Sequence, residues 1–239
     1  MNGAGGAAGH RQVSGRRPPS SPVLRIQLQG GDNTVRINGK RIVIITAHEF
    51  EDVELLYTIL RLSEEGAVLT VATLPKEAVG HFHARPYWPE KPITGRFGST
   101  VPFYVLAEGN RWTHKETTEL SIDDYDALVF PGGLAPDFIR CDETTLAFTA
   151  AMYRAGKIVA AICHGPQILI STDVVQGTDI VKGRRACSWL AVRDDLKNAG
   201  AEWVDAAAIT EKNVITARCP DDLPEFCHEI IKALEGEGK

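Results

Sequence analysis

The stretch Lys157-Ile158-Val159-Ala160-Ala161-Ile162-Cys163-His164-Gly165-Pro166 decides the fold class. From Ile158 to Ile162 every position is apolar, as expected of a parallel strand covered on both faces. Cys163 follows at once, and Gly165 comes two places later. Gln167 to Ser171 reads as the start of that helix. A strand that turns sharply into a helix, with a nucleophile-type side chain at the turn, is a nucleophile elbow. The bland alternative is a buried core cysteine beside an unremarkable histidine; the turn pattern favours the reactive one. A helix N-terminus lowers a thiol pKa, and its backbone N–H groups can stabilise a developing oxyanion. Gly165 lets backbone and substrate approach closely.

Working outward, strands alternate with helices. Tyr125 to Phe130 reads as a strand ending in Pro131-Gly132-Gly133, and Thr144 to Ala155 as a helix. Ile42 to Ile45 is another fully apolar strand. Glu51 to Glu65 carries apolar residues at Val53, Leu55, Leu56, Ile59, Leu60 and Leu62, with Glu51, Asp52 and Glu54 in a first turn that favours negative charge. Gly66 stops this helix, and Val68 to Thr73 is the next strand. Such βαβ units imply an α/β fold with a parallel sheet and right-handed crossovers. Beyond the elbow come a strand near Ala186, a helix from Ala191 to Ala199, strands near Trp203 and Val214, and a closing helix from Asp221 to Leu234. Ligands of open α/β sheets bind at the carboxyl ends of strands. Gly132, Gly133 and the segment His48-Glu49-Phe50-Glu51-Asp52 therefore face the same crevice as Cys163. A plain turn explains the glycines equally well, and helix capping explains the acids.

Composition excludes several classes. The 239 residues are 44% hydrophobic and 24% charged, ordinary for a globular chain. A net charge of −5 argues against a nucleic-acid surface. No stretch reaches the ~18 apolar residues of a membrane span, so no membrane partner is expected and the location expected is cytoplasmic. Five cysteines, at 141, 163, 187, 219 and 227, form no CxxC pair, which argues against a disulfide framework or a four-cysteine zinc site. Residues 1–22 are rich in Gly, Ala, Arg, Pro and Ser and read as a disordered tail. Residues 23–40 read as an extension, with Val23 to Leu28 and Thr34 to Ile37 as strands of a small hairpin. Residues 41–236 form the domain, interrupted by an insertion at about 74–121 that contains a candidate strand from Thr100 to Leu106. His81 and His83 share one face if extended, but without a third ligand they are not read as a metal site, and no cofactor is expected.

These segments together resemble the PfpI/ThiJ superfamily, in the branch of PfpI-type intracellular proteases. The matching stretches are Glu49 to Leu55, Asp124 to Leu128 through Pro131-Gly132-Gly133 and Ala135-Pro136-Asp137, Ala161 to Ser171, Gly200 to Asp205 and Pro220 to Pro224. The resemblance implies a flavodoxin-like three-layer sandwich with a mostly parallel sheet, as in class I glutamine amidotransferases. It implies that Cys163 is the reactive cysteine, that Glu51 hydrogen-bonds its thiol, and that His164 is the adjacent histidine. Asp137 would orient His164 from a neighbouring subunit of a homo-oligomer. Gly133 and His164 would supply an oxyanion hole, and Trp189 falls where relatives line the pocket with an aromatic. Three functions stay open. One is glyoxalase III or deglycase chemistry on a small aldehyde or glycated protein, with Glu51 and His164 moving protons. Another is peptide hydrolysis by Cys163, His164 and Asp137. The third is a redox-sensing or chaperone-like stress protein, since a thiol beside a carboxylate oxidises readily.

Overall fold

The computed structural model describes residues 35–75, 92–101 and 112–236. The tail, the Val23–Leu28 half of the expected hairpin, His81 and His83 lie outside them. Val35 to Lys40 is no strand but a turn, with Ile37 buried and its N–H bonded to the Glu65 carbonyl.

The elements are β1 (Arg41–Thr46), α1 (Asp52–Glu64), β2 (Val68–Thr73), β3 (Ile93–Thr94), β4 (Thr100–Val101), β5 (Trp112–Glu116), β6 (Ala127–Phe130), α2 (Ala135–Ile139), α3 (Glu143–Arg154), β7 (Ile158–Ile162), α4 (Pro166–Gln176), β8 (Arg185–Ala186), α5 (Arg193–Asn198), β9 (Glu202–Trp203), β10 (Ala208–Glu211), β11 (Val214–Ala217) and α6 (Leu223–Gly236). Among the described residues the main sheet runs β10-β11-β7-β6-β1-β2-β5, parallel except for β10. Strands β3 and β4 form a hairpin, and β8 pairs with β9 apart from the main sheet.

The strand order explains the layers. From β1 the chain steps to β2 on one side; β6 then starts again on the other side and steps to β7 and β11. Right-handed crossovers taken in opposite directions put their helices on opposite faces. Accordingly α1 packs with α6 on one face, while α3 and α4 pack together on the other. The result is the expected flavodoxin-like three-layer α/β sandwich, with its switch point between β1 and β6. The central strands have no wet face: Ile42 to Ile45 of β1 and Ala127 to Phe130 of β6 are all fully buried. No described helix is long and apolar enough to cross a membrane.

Two strands carried no sequence signal. β5 is a polar edge strand whose register pairs Leu69 with Trp112 and Thr73 with Glu116. β10 reaches β11 through the two-residue turn Lys212-Asn213, with Lys212 at φ +58°, a conformation that lysine does not advertise. Helix α1 spends apolar residues on solvent: Val53 and Leu60 are exposed, whereas Glu54, Leu55, Thr58, Ile59 and Leu62 form its buried stripe.

Part of the insertion is anchored to the carboxyl edge of the sheet. The buried Asp52 carboxylate accepts the N–H groups of Phe97 and Ser99, both at 2.8 Å, across the tip of the β3–β4 hairpin. A Cβ on Gly95 would lie 2.4 Å from that carboxylate, so glycine is required for the approach. Glu49 donates to the Thr94 carbonyl and Arg96 to that of Phe50. Hydrogen bonds to a charged group contribute roughly 1.5–3 kcal/mol each. Asp52→Ala is therefore expected to lower stability by about 2–4 kcal/mol in urea unfolding. In hydrogen exchange it should strip protection from the Phe97 and Ser99 amides while β1 and β6 stay protected.

Candidate active site

Cys163 sits at the end of β7 with φ +63°, in the left-handed region that costs a non-glycine residue roughly 1–3 kcal/mol. Its backbone is held on both sides: its N–H donates to Ala217 of β11, and its carbonyl accepts from Trp189, each at 3.0 Å. Gly165 closes the turn onto the Ile162 carbonyl at 2.8 Å, and a Cβ there would meet the Phe130 carbonyl oxygen at 2.7 Å. The elbow expected from the sequence is thus present, and its conformation is forced by neighbouring strands. Backbone N–H groups of Gly133 and His164 both reach the sulfur and favour its thiolate.

The acidic partner is Glu54. Its carboxyl is fully buried, and Oε2 accepts the Gly132 N–H at 2.5 Å. Oε1 is also buried and has no hydrogen-bond partner of ordinary geometry among the described residues. Burial pushes the Glu54 carboxyl up to about 7, with Gly132 and the Cys163 thiol pulling it partly back. The thiol in turn is pushed up by burial and by the Glu54 charge. The Glu54 charge raises the thiol while the thiol's hydrogen bond holds Glu54 down, so Glu54 is the member of the pair that titrates near neutral pH. Gly132 makes this proximity possible, because a Cβ there would sit 2.7 Å from that of Cys163 and 2.9 Å from Glu54 Oε2.

This corrects the expectation for Glu51. That residue precedes α1, outside the buried stripe, and its carboxylate pairs with Arg96 Nη1 at 3.1 Å rather than with the thiol. The Arg96 guanidinium is half exposed, and its charge favours the ionised form of Glu54 and the neutral form of His164.

His164 is half-buried, which lowers its pKa and keeps the ring neutral. The Gln167 amide faces its Nδ1 at 3.4 Å, and Arg140 Nη1 donates to Gln167 Oε1 at 3.2 Å. With that oxygen taken, the amide nitrogen faces the ring, which makes Nδ1 an acceptor and leaves the proton on Nε2. Asp137 of the same chain lies close enough to favour the charged imidazole. It is exposed on α2, however, and no hydrogen bond joins its carboxylate to His164. Gly133 adopts φ +78° and forms a bridge with Phe50. The Trp189 backbone braces Cys163, and its indole is 45% exposed.

Most of the chain, residues 40–233, matches the DJ-1/PfpI family. The chain belongs to the DJ-1/PfpI family. Deglycase TK1284 of Thermococcus kodakarensis is 39% identical over 194 residues, covering 81% of this chain and 99% of that one. A Bacillus subtilis protein named as a candidate cysteine protease, YraA, is 35% identical over 196 residues, covering 82% and 99%. Among solved structures, Drosophila melanogaster DJ-1beta superposes with a TM-score of 0.64 at 20% identity, over 83% of this chain and 91% of that one.

Within this DJ-1/PfpI chain, the sequence alone reads Glu54 as helix-dipole complementation and gives Arg96 no role. The available signal for Glu54 was its helical phase: it shares a stripe with Leu55, Thr58, Ile59 and Leu62, so a carboxylate there must face the core. Arg96 had no local signal, because only docking of the β3–β4 hairpin brings it to the site. His48, expected to face the crevice, is buried and accepts the Thr94 N–H on Nδ1 at 3.3 Å. No cluster of three metal-ligating side chains occurs among the described residues.

Two outcomes follow from this geometry. A Cβ on Gly133 would lie 2.4 Å from the Glu49 carbonyl oxygen and 2.5 Å from the Glu51 nitrogen. Gly133→Ala should therefore cost at least ~2 kcal/mol in chemical denaturation and slow alkylation of Cys163. Burial lowers the His48 pKa from 6.5 to about 4. Between those values the unfolded chain binds more protons, so this contribution to stability is lost as pH falls from 6.5 toward 4. The Tm advantage of wild type over His48→Gln should shrink across that window and be constant above pH 7.

Proposed function

We propose that this chain is a cysteine-dependent enzyme acting on reactive carbonyls, of the deglycase or glutathione-independent glyoxalase type. Cys163 is its nucleophile and Glu54 its proton carrier. The observation that carries this reading is the buried Glu54 carboxyl, held near 7 and coupled to the thiol on a strained turn. A general acid–base group works best with a pKa near the operating pH. Glu54 takes the thiol proton, and the Gly133 and His164 N–H groups hold the thiolate. The sulfur then adds to an aldehyde carbon, the carbonyl electron pair moves to oxygen, and Glu54 returns the proton to give a hemithioacetal. With an α-oxoaldehyde, Glu54 next moves the C–H proton to the neighbouring carbonyl carbon through an enediol, leaving a thioester. Water releases the hydroxy acid and restores the thiol. When the aldehyde is carried on a protein amine, hydrolysis frees that amine. The deglycase of Thermococcus kodakarensis, aligned over nearly its whole length, supports this substrate class.

Peptide hydrolysis is the second reading, favoured by the neutral His164 beside the thiol and by the name of the Bacillus subtilis relative. It requires an acid that orients His164. A single chain does not supply it through Asp137, so a second copy in a homo-oligomer would have to.

Methylglyoxal and a fluorogenic peptide, given to wild type, Cys163→Ser, Glu54→Gln and Glu51→Gln, separate these readings. We expect methylglyoxal turnover that Cys163→Ser abolishes and Glu54→Gln lowers by about 10²-fold or more. The wild-type rate should rise with pH through an apparent pKa near 7, and Glu54→Gln should lose that limb. Turnover of peptide alone would sink the carbonyl reading.

A further inference from the structure

We propose that Arg96 makes this site select carbonyl compounds that carry an anionic group, a carboxylate or phosphate, beside the electrophilic carbon. The proposal rests on the carbonyl reading for its substrate, but its physical basis is separate. Arg96 reaches the site on the docked β3–β4 hairpin, with its N–H fixed to the Phe50 carbonyl at 3.0 Å. One donor, Nη1, is used on Glu51. Among the described residues Nε and Nη2 have no hydrogen-bond partner, and the side chain is 47% exposed. A guanidinium with two free donors in a planar fork suits an oxyanion group. Phe50, whose carbonyl takes the Arg96 N–H, bridges Gly133, and the Gly133 N–H reaches the sulfur, so the hairpin that carries Arg96 is tied to the turn that holds the thiol, and the Arg96 charge bears on both Glu54 and His164.

The other guanidinium near His164 is that of Arg140, which spends Nε on Ser171 and Nη1 on Gln167. The acidic groups around Arg96 are Glu51, its ion-pair partner, Asp52, whose carboxylate is taken up by the Phe97 and Ser99 N–H groups, and Glu54, whose carboxyl is raised to about 7. Asp137 is exposed beyond His164. Glu51 thus acts as a counterweight: it holds the guanidinium in place and offsets part of its charge. An incoming carboxylate or phosphate competes with Glu51 or takes the free edge of the fork. The covalent step is unchanged: the thiolate adds to the carbonyl carbon, the alkoxide takes its proton from Glu54, and no group leaves.

Two alkylating agents of nearly equal shape read this without any turnover. Iodoacetate is anionic and iodoacetamide neutral, and both are attacked by the thiolate with loss of iodide. The ratio of their second-order rates at Cys163, followed by intact mass, should fall about 5–10-fold in Arg96→Gln. Arg96→Lys should recover most of it, and Glu51→Gln should raise it. Salt should compress the wild-type ratio. The matching kinetic pair is 4,5-dioxopentanoate against methylglyoxal, for which Arg96→Gln should lower kcat/KM selectively for the acid. An alkylation ratio unmoved by Arg96→Gln, or moved in the same direction by Glu51→Gln, overturns the proposal. Failure of both dicarbonyls to turn over, with the ratio behaving as stated, would overturn the carbonyl reading and leave anion selection standing.

Discussion

The left-handed backbone at Cys163 is the constraint around which the rest of the site is arranged. A cysteine held at φ +63° projects from the sheet edge instead of continuing along the strand. It stays there because β11 accepts its N–H and the Trp189 N–H caps its carbonyl. Each of those bonds depends on the parallel order β6-β7-β11 and on burial of the strands beneath. The strain is small beside the stabilisation of a sheet whose central strands are wholly buried, so the turn has nowhere to relax.

The same compression explains the glycines. Gly132 and Gly165 lie where any side chain would strike the neighbouring backbone, the thiol or the carboxyl, and Gly133 adds a positive φ. Removing three side chains from one small volume brings Sγ, a carboxyl and two N–H groups together. In that setting a carboxyl cannot ionise as it does in solvent. Its proton becomes available near neutral pH, and its charge in turn raises the thiol. The electrostatics of the site are set by where charges are placed and how poorly they are solvated, and the fully buried Glu54 carboxyl is central to them.

The insertion supplies what the sandwich core does not. Asp52, one residue inside α1, ties the β3–β4 tip to the helix that also carries Glu54. Ordering the hairpin and placing Arg96 are therefore parts of one contact. The core helix carries the buried acid, and the hairpin it anchors carries the cation.

Much of this was legible in the sequence because it is local. Apolar runs at Ile42–Ile45 and Ile158–Ile162 named the buried parallel strands, Cys163-His164-Gly165-Pro166 named the elbow, and Gly132-Gly133 named the facing turn. Each of these is a statement about neighbours a few residues apart. The β5 and β10 strands were not legible, since edge pairing is decided by a partner strand and not by their own side chains. Choosing Glu54 over Glu51 needed the rotational phase of α1, which a first turn rich in acids conceals but the buried stripe fixes. Arg96, Asp52 and His48 acquired their roles only when the hairpin folded back across the carboxyl edge. The sequence by itself therefore determined the cysteine elbow and the sheet that presents it, through short-range periodicity and turn chemistry. Tertiary structure alone decided which acid lies against that thiol and which cation docks beside it, because burial and charge proximity are set by residues about 30 to 110 positions apart in the chain.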